Sequence, residues 1–257
     1  MKKGNGVAEA ALIIFAKAPI PGQVKTRLCP PLTPDEAASL HGSFVLDAVE
    51  RSRLPMLDRF LACDPSSAHV FFKIMEERQR VRLIDQEGED LGARMSHACA
   101  GAFKNGYRRV LLVGSDLPTL QSSAYTQALD LLATHDVVLG PALDGGYYLI
   151  GLTRPMSDLF VGIPWSTSQV LALTQRKADA LGLRTALLPP CRDVDTIDDL
   201  LALIETAGLE AQGPRQEGGR VQAGSSGPEH SASSLSHRTA GALHLIADRL
   251  RQRGLAG

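Results

Sequence analysis

Several features that mark common protein classes are missing from this chain. Its four cysteines, Cys29, Cys63, Cys99 and Cys191, show neither C-x-x-C spacing nor a disulfide framework. They read as ordinary thiols of a reducing compartment. Neither sign of charge is in excess, since the net charge is −1 at pH 7. That leaves no general pull toward nucleic acid or membrane, and any polyanion affinity must be local. No apolar stretch approaches the ~20 residues needed to span a bilayer. Lys2 and Lys3 ahead of Ala10 to Ala16 mimic a signal peptide, but Glu9 interrupts the run, Lys17 closes it and no small-residue cleavage site follows. A cytoplasmic location is expected. The seven histidines are scattered, with His230, His237 and His244 near the end, which argues against a zinc site. No Ser-His-Asp or Cys-His arrangement and no internal repeat is evident.

What is present fits a globular domain. Hydrophobic content of 44% and charged content of 21% allow a substantial core. Short apolar runs read as buried strands at Leu12 to Ala16, Phe60 to Cys63, Val81 to Ile84, Arg109 to Gly114, Val137 to Gly140, Tyr147 to Leu152 and Arg184 to Leu188. Helical periodicity lies between them. Thr33-Pro34-Asp35-Glu36 is a helix start with an N-cap, a first-position proline and a capping box, and the helix is expected to run to about Arg53. Further helices are predicted over Ser67 to Arg78, Leu91 to Asn105, Ser122 to Thr134, Ser168 to Leu181 and Thr196 to Thr206. Such alternation predicts one mostly parallel sheet with helices on both faces. The doubling back near Asp144 adds one antiparallel strand. Residues 8–209 are read as this domain. Residues 210–238, rich in Gly, Ser, Gln and charge, are read as a disordered linker. Residues 239–257, with Leu243, Ile246, Ala247 and Leu250 at helical spacing, are read as a terminal amphipathic helix or tail. A chain ending at Leu209 is expected to fold.

The most informative stretch opens the domain. The buried run through Phe15, Ala16 and Lys17 is broken by Pro19, Pro21 and Gly22, and Lys25 and Arg27 follow the loop. A buried strand that delivers such a loop and two cations to its carboxyl end suits a nucleotide diphosphate. Asp116 follows another buried strand at Gly114-Ser115, where a carboxylate can bind a phosphate-bridging divalent cation. Asp193 and Asp195 are two apart, so in an extended segment both carboxylates can converge on one ion. Asp144-Gly145-Gly146 is a turn. Trp165, the sole tryptophan, either walls an acceptor pocket or anchors the core.

Four stretches carry a resemblance: the opening string, Gly114-Ser115-Asp116-Leu117-Pro118, Gly140-Pro141-Ala142-Leu143-Asp144-Gly145-Gly146-Tyr147-Tyr148, and Asp193-Val194-Asp195-Thr196. From Leu12 to Ile204 the chain resembles the bacterial DUF2064-type transferases, a group sometimes linked to arsenosugar biosynthesis. It is similar, more distantly, to the phospholactate guanylyltransferases of deazaflavin-cofactor synthesis. The resemblance implies a GT-A-like, Rossmann-related α/β fold and a metal-dependent transferase using Mg²⁺ or Mn²⁺. It implies nucleotide contacts at Ala16, Lys17, Gly22, Lys25, Arg27 and Gly92, the last in an acidic loop placed near base and ribose. It implies metal on Asp116 with one or both of Asp193 and Asp195. Asp116 and Asp144 then become the catalytic candidates, and Asp144, Gly145, Gly146 and Trp165 face sugar or acceptor. The sugar transferases' DxD motif is incomplete, since Gly114-Ser115-Asp116 offers one acid. Glycosyl transfer from a nucleotide sugar to a small-molecule acceptor leads. Nucleotidyl transfer from a nucleoside triphosphate to a small phosphorylated acid is the alternative. A nucleotide-binding module without catalysis is the third reading, favoured if Asp116 lies far from the other two acids.

Overall fold

An apolar strand with no polar face must be covered on both sides. In the computed structural model, which describes residues 9–208, 235–252 and 254, that strand is β1 (Ala10–Lys17). It lies between β2 (Leu57–Asp64) and β4 (Arg109–Gly114), parallel to both. Successive side chains point to opposite faces. Leu12, Ile14 and Ala16 therefore enter one core cluster, and Ala11 and Ile13 the other. The sheet has seven strands in the order β3-β2-β1-β4-β6-β5-β7, with β3 at Arg82–Asp85, β5 at Val137–Pro141, β6 at Tyr147–Leu152 and β7 at Thr185–Leu187. Among the described strands only β6 runs antiparallel to its neighbours, β4 and β5. The mostly parallel α/β sheet with one reversed strand is the one expected.

The first face is covered by α1 (Pro34–Arg51), α2 (Val70–Gln79) and α4 (Ser122–Leu131), through Val45, Val49, Phe72, Met75, Tyr125 and Ala128. The second is covered by α3 (Leu91–Lys104) and α5 (Val170–Ala180), through Met95, Cys99, Ala102 and Ala178. The capping box at α1 forms: Thr33 Oγ1 accepts from the Glu36 amide, and the Glu36 carboxylate accepts from the Thr33 amide at 2.8 Å.

A third cluster lies outside the sheet. There α6 (Ile197–Thr206) and α7 (His237–Gln252) pack on the far side of α1. Leu243, Ile246, Ala247 and Leu250 of α7 are buried against Leu28, Leu40, Phe44, Val194 and Leu203. Asp47 of α1, also buried, accepts hydrogen bonds from Ser236 Oγ (2.7 Å), Thr239 Oγ1 (2.6 Å) and Arg238 Nη1 (3.0 Å). The helix expected near the end of the chain thus packs against α1 and α6, and α7 supplies apolar side chains to this cluster. Residues 210–234 of the expected linker lie outside the described residues. Its last two, His237 and Arg238, already belong to α7.

Candidate active site

Parallel strands β1 and β4 end side by side, and the loops leaving them build a crevice. After β1 the chain turns through Gly22 (φ 78) and reaches Lys25, which adopts a left-handed conformation (φ 49) before a 3-10 turn at Thr26–Leu28. Leu28 is buried in the third cluster, and the Lys25 side chain turns inward. That side chain is only 3% exposed. Its ammonium donates to Val194 O at 2.6 Å and pairs with Asp116 Oδ2 at 2.9 Å, with Asp195 Oδ1 at 3.7 Å. One buried cation therefore ties the strand-end acid to the second acidic segment. The Val194 amide completes the link by donating to Asp116 O at 3.0 Å.

Asp116 has a second partner. Buried His41 of α1 places Nδ1 3.2 Å from Asp116 Oδ1 and Nε2 3.0 Å from the Lys17 carbonyl. Burial by itself pushes the Asp116 carboxyl up. The Lys25 charge and the His41 contact outweigh it and hold the group well below the usual carboxylate range. The side chain remains 38% exposed and faces open space on two sides.

Those two sides are separate cavities with a common wall of Leu91, Gly114 and Asp116. The first, of about 420 Å³, is lined by Ala16, Lys17, Lys25, Arg27 and Asp195, with His41 and Gln86 behind. Lys17 is exposed there, and its ammonium has no partner among the described residues. Arg27 Nη1 is 2.7 Å from Asp195 Oδ2. The second cavity, of about 370 Å³, holds Asp144, Asp193, Tyr147, Tyr148 and Trp165. Among the described residues, no lysine, arginine or histidine lines it. Asp193 lies beside Asp144, and burial together with that neighbouring charge pushes its carboxyl up.

The crevice gathers most of the residues expected from sequence, but not in one group. Asp193 and Asp195 open on different cavities, with Val194 between them buried in the third cluster. Asp195 is instead held by Arg27 and Lys25. Gly145 (φ 91) belongs to the turn between β5 and β6, and a Cβ there would lie 2.2 Å from Ser168 O. The Gly146 amide donates to Asp144 Oδ1 at 2.8 Å, which fixes the carboxylate at the cavity mouth. Gly92 lines neither cavity. A Cβ on it would lie 2.5 Å from Trp165 Nε1, so the glycine lets α3 approach the indole. Trp165 is stacked on Phe160 (6.5 Å, 29°) and meets the edge of Tyr147 (6.3 Å, 86°), so it serves as both wall and anchor. His41 was not anticipated, although a histidine among Ala37, Leu40 and Phe44 on an apolar helix face was the available signal.

Comparison with known proteins agrees with this architecture. Residues 47–167 match the family described as "Uncharacterized protein conserved in bacteria (DUF2064)". A candidate nucleotide-diphospho-sugar transferase from Desulfovibrio desulfuricans G20 shares 32% identity and a TM-score of 0.78, over 96% of this chain and 98% of that one. The chain belongs to the DUF2064 family. This DUF2064 protein is also 29% identical to the 3-phospho-D-glycerate guanylyltransferase of Phenylobacterium zucineum (strain HLK1) over 178 residues, 64% of this chain and 75% of the relative. It is 30% identical to the 2-phospho-L-lactate guanylyltransferase of Methanothermobacter thermautotrophicus over 128 residues, 48% of this chain and 53% of that enzyme, about half its length. The fold is that of nucleotidyl and nucleotide-sugar transferases.

Among the described residues no three His, Cys, Asp or Glu side chains gather in metal-holding geometry. Mg²⁺ bridging a nucleotide's phosphates needs only one or two protein carboxylates. Asp116 and Asp193 line one cavity and are all-oxygen ligands of the right kind. A cation beside Asp193 would also relieve its repulsion with Asp144.

Proposed function

We propose that this DUF2064 protein is a glycosyltransferase that uses a nucleotide-diphospho-sugar donor. The observation that carries the reading is the contrast between the two cavities that meet at Asp116. The first offers Lys17 and Arg27 to a diphosphate, with buried Lys25 beneath them. The second offers Asp144, Asp193 and aromatic rings, with no cationic side chain. Carboxylates accept hydrogen bonds from sugar hydroxyls, and aromatic faces cover the apolar side of a sugar ring. A phosphorylated acid would meet like charge there without a compensating cationic side chain.

In this reading Lys17 and Arg27 bind the diphosphate. Lys25 holds Asp116 and Asp195 in register beneath it. Mg²⁺ or Mn²⁺, held by Asp116 and Asp193, would supply positive charge to the leaving diphosphate. The bond between the anomeric carbon and the distal phosphate oxygen breaks, and the nucleoside diphosphate leaves with the electron pair. The acceptor oxygen bonds to the anomeric carbon, and its proton passes to the Asp144 carboxylate, which is exposed at the cavity mouth.

Guanylyl transfer is the second reading, favoured by the similarity to the Phenylobacterium enzyme over 64% of the chain. There the α-phosphorus is attacked and pyrophosphate leaves. Product analysis separates the two. Incubation with nucleotide sugars, divalent metal and neutral polyhydroxyl acceptors is expected to release nucleoside diphosphate. Acceptor-dependent pyrophosphate from nucleoside triphosphates, with nucleotide sugars inert, would overturn the proposal.

A further inference from the structure

A larger cavity lies at the other end of the sheet. Strands β2 and β3 begin where the helices α1 and α2 end, and between them is a depression of about 630 Å³. It stands at the amino ends of these strands, whereas the crevice at Asp116 stands at the carboxyl ends of β1 and β4. The length of β2, about 25 Å for an eight-residue strand, separates the two levels. Five arginines line the depression, Arg53, Arg59, Arg78, Arg80 and Arg82, against one acid, Asp58.

Part of this charge has an architectural use. Arg59 donates to Val49 O (2.9 Å) and Gln79 O (2.7 Å), which caps the carboxyl ends of α1 and α2. Arg53 donates to the Gln79 side chain. Arg82 lies over the Phe60 ring, 5.6 Å from its centre, and donates to Tyr107 Oη at 3.0 Å. Arg78 and Arg80 have no such employment. Both are exposed, and neither guanidinium has a hydrogen bond or ion pair among the described residues. Arg80 moreover sits at the α2 C-cap with φ 52, a position that favours glycine or asparagine. Crowding has an electrostatic effect too, since burial and the Arg53 charge lower the Arg59 pKa. Like charges gathered around a concavity repel, and a bound polyanion relieves that repulsion.

We propose that this arginine-lined depression binds an oligophosphate, either inorganic or carried on a nucleotide, independently of the crevice at Asp116. Guanidinium forks match phosphate oxygens in pairs, and several together call for more than one phosphate group. The volume exceeds what a single phosphate fills. Leu54, Pro55 and Leu57 give the same depression an apolar wall on which a nucleobase can lie.

The test is hydrogen exchange and titration calorimetry on the full chain, with tripolyphosphate and ATP as probes. Arg78→Ala/Arg80→Ala removes the two side chains without partners and is expected to leave the fold intact, as thermal melting would verify. In the parent protein, either probe is expected to protect residues 53–59 and 78–82 from exchange. The double variant is expected to lose that protection and weaken binding there by about tenfold or more. Stronger protection by ATP than by tripolyphosphate would place the base on the Leu54–Pro55 wall and support the nucleotide form. Protection by both probes confined to residues 16–27 and 114–116 would overturn the proposal. So would unchanged protection in the double variant, or protection of the arginine segments by a single-stranded RNA but by neither small probe.

Discussion

Lys25 is the residue on which the crevice depends, because one buried ammonium is shared by an acid from β4 and an acid from the segment before α6. Removing a counter-charge from a buried cation costs more than the ion pair contributes. Asp116→Asn is therefore expected to lower stability by about 1–3 kcal/mol, since Lys25 keeps Val194 O and Asp195. Urea unfolding measures this. Titration calorimetry on the same variant is expected to show the Mn²⁺-linked part of nucleotide affinity lost, and unchanged linkage would put the ion elsewhere. Asp193 has the opposite character. Its folded-state carboxyl is raised by burial and by Asp144. Between the unfolded pKa and that raised value, the folded state holds more protons than the unfolded state. Stability therefore falls as pH rises through this window and stays lowered above it. Asp193→Asn is expected to abolish that decline and raise the neutral-pH melting temperature, read from melts between pH 4 and pH 8. An unchanged profile would mean that Asp193 is not strained.

Among the elements, α7 carries the clearest mechanical consequence. Its buried face reaches Leu28, just beyond Arg27, and Val194, between the two acids. Leu250→Ala is expected to cost about 2–5 kcal/mol by leaving a cavity in this cluster. A guanidinium unfolding midpoint close to that of the parent would show that α7 docks only loosely. The sequence revealed the helix through the spacing of Leu243, Ile246 and Leu250, but not its destination, because an amphipathic stripe states that a face needs cover and not which surface supplies it. Strands were legible for the same local reasons: β1 and β4 are short apolar runs closed by breakers. The parting of Asp193 from Asp195 was not legible. Two-residue periodicity puts both on one side only while the chain stays extended, and these residues lie in the connection between β7 and α6, outside any strand. His41 escaped notice because its partners are 24 and 75 residues away in sequence.

At the level of the whole molecule, a net charge of −1 conceals an uneven distribution. Cations collect under the expected diphosphate and at the far end of the sheet, while carboxylates collect in the cavity lined by Tyr147 and Trp165. A ligand that binds only the folded state stabilises it by about 2.7 kcal/mol at a hundredfold excess over its dissociation constant. Thermal melting can therefore read each cavity in turn. A nucleoside diphosphate with Mn²⁺ is expected to raise the midpoint, and Arg27→Ala, which removes an exposed cation from the first cavity, is expected to reduce that rise. Extending the ligand to a nucleotide sugar is expected to raise the midpoint further, because the sugar reaches the hydroxyl-accepting carboxylates across Asp116. Adding 3-phosphoglycerate to the nucleotide-bound protein is expected to give no additional rise, since no cationic side chain among the described residues lines the second cavity and the metal's charge is taken up by the diphosphate. The decisive variant is Asp144→Ala, which removes a carboxylate exposed at the cavity mouth. It is expected to erase the increment due to the sugar and to spare the increment due to the diphosphate. An additive rise with 3-phosphoglycerate in the parent protein, strengthened in Asp144→Ala, would instead identify the second cavity as a site for phosphorylated acids.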